Sequence, residues 1–405
     1  MKILLLAGEE SGMIYRGKIE AKIRAMRPDA EIRGYGDYGF KTGDLAVMGV
    51  IQVLKKIFYF LRVKRTMERA IDEWRPDVVC TIDYPGLNLK LAAYAKARGI
   101  RAVHVVCPQV WAWHQSRIPK IERDLDTICC FFPFEPKIFR PGLGVFVGHP
   151  LVEEMQESER EEGRRKKCGA SNPSSGSSCS NAQQQKKNAS ATVLLPSSFF
   201  RLPFSPLLAL LPGSRVGEIR HHLPKLIETV NILKKEIPNL RAVIPAANEK
   251  ARRAIAEVGG ANPPFEVQDG GARELLRRAD AAVVASGTAT LEAGMARCPT
   301  VLVYHVDWLF EVICRISLKG VKHIGLVNIV CEKLGASCPM PELIQQDFTV
   351  PNMLSYLRPW LTDAQANAAA RKALDESVGL LKSDGDSIAQ IAAQVVGPEA
   401  ANSHS

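Results

Sequence analysis

Short apolar runs recur along the chain, and each ends in a small or polar turn that is followed by a helical pattern. Residues 3–6, 78–82 and 102–106 in the first half, and residues 207–211 and 281–285 in the second half, are almost entirely apolar. Such runs are typical of strands buried on both faces of a parallel sheet. Their alternation with helices predicts a doubly wound α/β fold.

The most informative turn follows the apolar run Ala281–Ala285. There Ser286-Gly287-Thr288 leads into a helix that is predicted from Thr290 onward. Backbone N–H groups at a helix start, at the carboxyl edge of a sheet, form a binding site for phosphate. Glu292 follows one turn later, within reach of a ribose. An ordinary turn in which serine and threonine cap the helix explains the pattern equally well.

Two other turns have the same design. Ala7–Gly12 connects the first strand to a helix over residues 14–26. It lacks the G-x-G-x-x-G spacing of dinucleotide sites, so nicotinamide or flavin binding is not indicated. Pro212–Arg215 follows the first strand of the second half, and the Arg215 guanidinium is suited to bind a diphosphate bidentately.

The apolar run at residues 78–82 ends on a carboxylate. Tyr84-Pro85-Gly86 stops the strand directly after Asp83 and exposes the acid at the sheet edge, where ligands of open α/β sheets bind. We favour a chemical role for Asp83. The alternative is that Asp83, or equally Asn88, caps a helix that begins at about Leu89.

Two tryptophans and several polar side chains occupy the loop at residues 107–117. Trp111 and Trp113 would line a pocket, but packing over the sheet edge explains them equally well. Two further strands are predicted to end at residues 131–136 and at residues 145–150, the latter stretch containing His149.

A basic amphipathic helix is predicted over Val53–Arg65. Such a helix can lie in a membrane interface and attract anionic lipid, or it can cover the sheet with a solvated basic face. Taken alone, the stretch favours the second interpretation. The apolar residues that share one face are Val53, Leu54, Ile57, Phe58 and Leu61.

Residues 157–206 differ in composition from the rest of the chain. Much of this stretch consists of Ser, Asn, Gln and Lys, which cannot bury enough apolar surface to fold, so we predict a disordered linker. It separates a first domain at residues 1–156 from a second at residues 207–360, as expected for a chain of 405 residues.

The net charge of +10 indicates an anionic partner: nucleic acid, an anionic membrane or phosphorylated small molecules. The basic residues are dispersed and form no nucleic-acid motif, so nucleic acid is not expected. The ten cysteines include no C-x-x-C pair, and His221-His222 are interpreted as surface residues, so no metal site is predicted. The apolar runs are too short to span a bilayer or to form a signal-peptide core, which predicts a cytosolic protein.

Together these motifs resemble one family, the lipid-A-disaccharide synthases, which are inverting glycosyltransferases of GT-B architecture. The matching stretches follow the family's order and cover nearly the whole chain outside the linker. They are Ala7–Gly12, Ala46–Gly49, Ile82-Asp83 with Pro85 and Asn88, Val110–Trp113, Pro133–Glu135, Val147–Pro150, Leu211–Arg215, Ala285–Glu292, Asn328 and Glu342–Gln345.

The resemblance implies two Rossmann-like domains that face each other across a cleft, with helices in residues 361–396 packing back toward the N-terminal domain. It implies transfer of diacylglucosamine from its UDP derivative to 2,3-diacylglucosamine 1-phosphate, which gives the β-1,6-linked disaccharide and UDP without a metal or cofactor. The acylated substrates strengthen the case for a membrane contact through Val53–Arg65, at the inner face of the cytoplasmic membrane.

The resemblance also implies roles for individual residues. Asp83 resembles the base that takes the proton from the acceptor's 6-hydroxyl. The residues expected to bind the UDP-sugar are Ser214, Arg215, Glu218, Ser286, Gly287, Thr288, Glu292, Asn328 and Gln345. Those expected on the acceptor side of the cleft are Glu9, Ser11, Gly12, Trp111, Trp113 and His149.

The chain departs from the family's pattern at Met13, at Arg16-Gly17, at Gln52 and over residues 323–328. These departures bear on acceptor recognition more than on UDP binding. The competing interpretations are another GT-B UDP-sugar enzyme, such as a UDP-sugar epimerase, and a catalytically silent nucleotide-sugar-binding protein. The sequence leaves acyl-chain length and oligomeric state open and is compatible with a homo-oligomer.

Overall fold

The computed structural model describes residues 1–8, 10–40, 57–112, 115–154, 205–285, 287–305, 322–383 and 385–397. These residues form two compact units. The first unit comprises the described residues of Met1–Glu153 and Gly379–Ser405 together with Lys322, and the second comprises the described residues of Glu154–Val306 and His323–Val378. Most of the predicted linker lies outside the described residues.

The first unit is built on a six-stranded, fully parallel sheet with the strand order β2-β1-β3-β4-β5-β6. This order is that of a doubly wound fold, as predicted. Its elements in chain order are β1 (Lys2–Ala7), α1 (Glu10–Met26), β2 (Glu31–Arg33), α2 (Ile57–Trp74), β3 (Val78–Ile82), α3 (Pro85–Lys96), β4 (Arg101–Val105), α4 (Ile118–Asp124), β5 (Thr127–Cys130) and β6 (Gly144–Phe146).

Strand β1 shows why its sequence has no polar positions. Successive side chains of a strand point to opposite faces of the sheet. Ile3 and Leu5 pack into a core on one face, whereas Leu4 and Leu6 pack on the other face with residues of α2 such as Met67. Both faces are therefore covered, and a continuous apolar run is the result.

The second unit also has a six-stranded parallel sheet, in the order β12-β11-β10-β7-β8-β9. The predicted two-sheet α/β architecture is thus confirmed. Its elements are β7 (Leu207–Leu211), α5 (Val216–Glu236), β8 (Arg241–Ala246), α6 (Glu249–Gly259), β9 (Glu266–Asp269), α7 (Ala272–Arg278), β10 (Ala281–Ala285), α8 (Thr288–Met295), β11 (Thr300–Tyr304), α9 (Leu326–Leu334), β12 (Glu342–Ile344), α10 (Val350–Thr362) and α11 (Ala364–Gly379).

The last helix, α12 (Ser387–Val396), belongs to the first unit. Its residues Ile391 and Val395 are fully buried in the same core as Ile3 and Leu5. The Glu153 carboxylate accepts hydrogen bonds from the Ser387 N–H at 2.7 and 2.8 Å, between residues 234 positions apart. The C-terminal helix therefore does return to the first unit.

Helix α11 remains with the second unit, contrary to the expectation for residues 361–396. The buried Asn367 amide donates to the carbonyls of Asp280 at 2.7 Å and Trp360 at 2.8 Å. Arg371 donates to the Ala279 carbonyl at 2.7 Å. These bonds fix α11 to its own sheet, so the chain changes units at Gly379 rather than at residue 361.

No helix within the described ranges is both long and apolar enough to cross a bilayer.

Candidate active site

Backbone strain is concentrated at the carboxyl edge of the first sheet. Asp83 and Tyr84 follow β3 with φ of 50° and 52°, and Val106 follows β4 with φ of 75°. The Asp83 N–H donates to the Val105 carbonyl at 2.9 Å, which holds the two strand ends together. Left-handed φ is costly for non-glycine residues, most of all for a β-branched one, and such strain gathers at functional sites.

The Asp83 carboxylate is half-buried at this strained edge. One of its oxygens, Oδ1, accepts a hydrogen bond from the Tyr84 N–H at 2.8 Å, and Oδ2 accepts none from any residue that the structure describes. Burial raises the pKa of Asp83, and the Tyr84 N–H opposes this rise. A carboxylate of more than ordinary basicity, with one oxygen free of hydrogen bonds from the described residues, suits a general base.

The Asn88 side chain holds the end of β3 in position. This side chain is fully buried, and its amide donates to the carbonyls of Ile82 at 3.0 Å and Asp83 at 2.8 Å and accepts from the Tyr35 hydroxyl at 2.7 Å. Asn88 is therefore not a helix cap, and the prediction of a helix from about residue 89 was wrong. Helix α3 begins at Pro85, whose fixed φ suits a first helical position.

Gly8 is required by a close approach at the same edge. A Cβ at this position would stand 2.6 Å from the Tyr84 side chain. Gly12 is buried in α1, where a Cβ would lie 3.5 Å from Ala7. Glu9 lies outside the described residues, and Ser11 lies in α1.

Trp111 is a buried packing residue. Its indole N–H donates to Oε1 of Glu135 at 3.3 Å. The other Glu135 oxygen accepts from the N–H groups of Phe131 and Phe132, both at 3.0 Å. Burial raises the pKa of Glu135 to about 7, against these hydrogen bonds. For Trp111, the structure favours packing over the sheet edge. Trp113 lies outside the described residues.

His149 is buried next to the same aromatic residues. Its Nδ1 accepts from the Leu151 N–H at 3.2 Å, and its ring centroid lies 5.0 Å from that of Phe131 and 5.9 Å from that of Phe132. The histidine therefore shapes the turn after β6.

In the described part of the chain, one triad could supply three metal-ligating atoms: Cys107, Cys130 and Glu135, all buried. Both Glu135 oxygens are engaged in hydrogen bonds. The hydrogen bond with Cys130, together with burial, raises the pKa of the Cys107 thiol. These hydrogen bonds give the triad a packing role at the end of β5.

The turn after β7 presents the predicted arginine. Gly213 has φ of 119°, and a Cβ there would collide with the Glu218 carboxylate. That carboxylate accepts from the N–H groups of Ser214 at 3.1 Å and Arg215 at 3.4 Å, and it pairs with the Arg215 guanidinium at 3.0 Å. Glu218 thus shapes the turn, while the Arg215 side chain stays 59% exposed.

The glycine turn after β10 has the predicted design, with a different helix start. Gly287, with φ of 141°, caps α8, which begins at Thr288 and not at Thr290. The Thr290 hydroxyl donates to the Gly287 carbonyl at 2.8 Å, so Thr290 belongs to the first helical turn. Thr288 is exposed at the helix start, and Ser286 lies outside the described residues.

Glu292 is already paired. Its carboxylate lies 2.8 Å from the Arg273 guanidinium, which also lies 3.2 Å from Glu154. The Glu292 side chain is only 15% exposed. A ribose contact would have to share this carboxylate with Arg273.

Gln345 and Asn328 differ in their access to the second sheet edge. Gln345 follows β12 with φ of 52°, and its N–H donates to the Tyr304 carbonyl at 2.9 Å. Asn328 is fully buried, with its amide bound to both backbone groups of Met340 and, at 2.8 Å, to the Glu342 carboxylate. The structure therefore brings Gln345 to the edge and gives Asn328 a supporting position behind it.

Replacing Asn328 by aspartate tests this supporting position. The new oxygen would face the Met340 carbonyl, which loses its amide donor, and would repel the Glu342 carboxylate, which keeps the N–H groups of Ile324 and Gly325. Each lost hydrogen bond at this buried position costs about 1–3 kcal/mol. We expect the thermal midpoint to fall by at least about 4 °C. The exposed Asn231→Asp on α5 is the matched control and should leave it unchanged. Unchanged stability with a loss of UDP affinity would instead indicate a direct nucleotide contact.

His222 is a site residue that sequence reasoning missed. It is fully buried, its Nδ1–H donates to the Pro212 carbonyl at 2.8 Å, and its Nε2 accepts from the His305 N–H at 3.1 Å. It thereby joins the ends of β7 and β11. The prediction of two surface histidines was wrong for His222, because neighbouring helical residues point about 100° apart and one of the two faces the sheet.

The buried His222 predicts a pH-dependent stability. Burial lowers its pKa in the folded protein, so the unfolded chain binds the additional proton. Its contribution is complete above the ordinary histidine pKa of about 6.5 and is lost as the pH falls through the folded pKa. We expect the difference in thermal midpoint between wild type and His222→Gln to be smaller at about pH 5.5 than at about pH 7.5. A constant difference would contradict this assignment.

Two parallel α/β units, each with left-handed or glycine turns at the carboxyl ends of its strands, are typical of the GT-B class of nucleotide-sugar enzymes. Comparison with known proteins narrows this class. The model of the family described as lipid-A-disaccharide synthetase matches residues 3–173 and 182–395. The lipid-A-disaccharide synthase of Myxococcus xanthus is 33% identical over 90% of this chain and 89% of its own length. The lipid-A-disaccharide synthase of Neisseria meningitidis is 32% identical over 98% of this chain and 97% of its own length.

The chain belongs to the lipid-A-disaccharide synthase family. It is a glycosyltransferase of lipid A biosynthesis, with a UDP-sugar donor and a lipid acceptor.

Solved structures agree on the fold. A UDP-N-acetylglucosamine 2-epimerase of Neisseria meningitidis bound to UDP-GlcNAc aligns with a TM-score of 0.55 over 98% of this chain and 99% of its own, at 10% identity. A structure described as a putative UDP-N-acetylglucosamine 2-epimerase, from Listeria monocytogenes, aligns with a TM-score of 0.57 over 98% of this chain and 94% of its own, at 12% identity. Identities this low concern the fold alone.

Proposed function

We propose that this chain transfers 2,3-diacylglucosamine from its UDP derivative to the 6-hydroxyl of 2,3-diacylglucosamine 1-phosphate, with Asp83 as the general base. The observation that carries this assignment is the half-buried Asp83 carboxylate on a strained sheet edge. Its pKa is raised, and its Oδ2 accepts no hydrogen bond from the described residues. Its raised basicity favours removal of a proton from a hydroxyl.

The reaction is a single displacement at the donor sugar. The acceptor oxygen attacks C1 while Asp83 takes its proton, and the bond from C1 to the diphosphate oxygen breaks with inversion. UDP leaves with the bonding electron pair. Negative charge grows on the diphosphate in the transition state, so fixed donors and a guanidinium aimed at it lower the barrier.

We assign the diphosphate to the second unit. Arg215 is the exposed cation of the turn after β7, and Gly287 with Thr288 starts a helix at the neighbouring strand end. Gln345 is our candidate for a nucleotide contact. Glu218, which also binds the Ser214 N–H, and Glu292, which pairs with Arg273, then act by holding the site in shape. Ser286 remains a predicted diphosphate contact.

We further propose that α2 contacts the inner face of the cytoplasmic membrane, where the acylated substrates reside. Phe58 is 81% and Leu61 43% exposed, although both are large and apolar. Arg62, Arg65 and Arg69 border a shallow depression together with them. An apolar tip surrounded by arginines matches an interface with anionic lipid. The predicted residues 53–56 of this stretch lie outside the described residues.

Vesicle sedimentation tests the membrane contact. Wild type should bind vesicles that contain anionic lipid, and Phe58→Ser/Leu61→Ser should bind them markedly less. Tyr356→Ser is a matched control, because Tyr356 is also exposed, at 38%, and lies in the second unit. Equal binding by wild type and the α2 variant would contradict the proposal.

The function is tested by UDP release from UDP-2,3-diacylglucosamine with and without 2,3-diacylglucosamine 1-phosphate. Release that needs the acceptor, with a disaccharide as product, supports the proposal. A UDP-sugar epimerase would interconvert sugars without an acceptor. A folded protein that binds UDP and releases none would be a silent binder.

A further inference from the structure

A groove of about 300 Å³ lies between α3 and α4 in the first unit. It is lined at one end by Pro85 and Gly86, the first two residues of α3, which follow directly on Asp83 and Tyr84. We refer to it as the α3–α4 groove. Its position beside the turn that carries Asp83 makes it a candidate for substrate binding.

Cations dominate the rim of the α3–α4 groove. Lys90, Arg117 and Lys120 line it and are exposed, and none forms an ion pair with a residue in the described ranges. Asp124 also lines the groove, but its charge is offset by Arg123 at 2.7 Å. Within the described ranges, the rim therefore carries an uncompensated positive charge.

The floor of the groove is apolar. Leu89 is half-buried, while Ile121 and Leu125 are buried beneath it. A positive rim above an apolar floor complements a ligand that has both an anionic group and hydrocarbon. In the reaction proposed above, the acceptor has this composition, because it carries a phosphate and two acyl chains.

We propose that the α3–α4 groove is the binding site for the acceptor, with its phosphate held by Lys90, Arg117 and Lys120 and an acyl chain lying on the Leu89 floor. The assignment rests on the proposed function, because Asp83 must meet the acceptor's 6-hydroxyl. Lys90 lies five residues beyond Pro85, about 7.5 Å along the helix axis. A pyranose ring with a substituent at each end spans such a distance, so the hydroxyl can reach Asp83 while the phosphate reaches the rim.

Charge removal on the enzyme and on the substrate tests the phosphate contact. In neutral detergent micelles, which carry no anionic lipid, Arg117→Gln/Lys120→Gln should lower kcat/KM for the phosphorylated acceptor about 10- to 100-fold. The KM for the UDP-sugar donor should stay unchanged. With the acceptor that lacks its phosphate, wild type should be slow, and the double variant should lose little more, because interacting groups are not additive.

The matched control is Lys137→Gln/Arg140→Gln, which removes the same charge from exposed residues of the first unit outside the groove. It should behave as wild type. Two results would overturn the acceptor assignment while leaving the proposed function in place. One is an active wild type together with a groove variant that keeps wild-type kcat/KM. The other is a groove variant that loses the same factor in kcat/KM with the phosphorylated acceptor and with the acceptor that lacks its phosphate. A wild type that shows no acceptor-dependent release overturns the proposed function itself.

A second variant addresses the acyl chain. Ala93 is half-buried in the groove lining, and Ala93→Leu would fill part of the floor. The rate with a long-chain acceptor should fall several-fold more than the rate with a short-chain acceptor. An equal effect on both would overturn the placement of the acyl chain.

Discussion

Asp83→Asn is expected to lower kcat at least about 100-fold while UDP affinity and folding are retained. Asparagine has the same shape, can accept the hydrogen bond from the Tyr84 N–H, and tolerates the left-handed φ of 50°. It cannot take a proton from the acceptor hydroxyl at neutral pH. The measurement is acceptor-dependent UDP release under saturating substrates, alongside UDP binding by calorimetry.

Asp29→Asn is the control for Asp83, because Asp29 is a 67% exposed carboxylate of the same unit, and its change should leave the rate intact. The pH profile adds an independent readout. Burial raises the pKa of Asp83, so kcat/KM of wild type should fall with decreasing pH above the ordinary aspartate value of about 3.9. That acid limb should be absent in the asparagine variant. A variant that keeps wild-type kcat would remove Asp83 from the role of base.

Arg215→Ala is expected to lower kcat/KM for the UDP-sugar by about 10- to 100-fold, since hydrogen bonds to charged groups contribute about 1.5–3 kcal/mol. The turn should survive, because Glu218 still accepts from the backbone N–H groups at positions 214 and 215. The kcat/KM of Arg215→Lys should lie between those of wild type and Arg215→Ala, because lysine keeps the charge and loses the forked geometry. Steady-state kinetics with varied donor measure the effect.

Arg220→Ala is the control, on the helix α5 that Arg215 caps. Arg220 is 56% exposed and pairs with Glu257 at 3.1 Å, so its loss removes an equal charge away from the turn. Donor kinetics should be unchanged in this variant. An equal loss for positions 215 and 220 would indicate a general effect of charge and exclude a specific diphosphate contact.

The strands were predictable because their residues are buried on both faces. The predicted runs at residues 78–82, 207–211 and 281–285 coincide with β3, β7 and β10. The acid after β3 and the glycine turns after β7 and β10 were predictable for a related reason. A parallel sheet brings the carboxyl ends of its strands to one edge, so sequence order alone indicates which turns can share a site.

Buried polar residues could not be predicted because their partners are distant in sequence. Asn88 binds Tyr35 across 53 positions, and His222 binds the His305 N–H across 83 positions. The sequence around Asn88 or His222 does not indicate which distant residue it will bind. Helix starts were missed for a local reason: α3 and α8 are capped by Tyr84 and Gly287 without a side-chain hydrogen bond, so the usual capping residues pointed to later positions.

The return of α12 to the first unit has a consequence for synthesis on the ribosome. The core that contains Ile3 and Leu5 is completed by Ile391 and Val395, and the bonds between Glu153 and Ser387 join positions 234 residues apart. At about 5–20 residues per second, the first sheet waits about 10–50 seconds for its last helix while the second unit is made. During that interval one apolar face of the nascent first unit is incompletely covered, which makes it a natural target for chaperones.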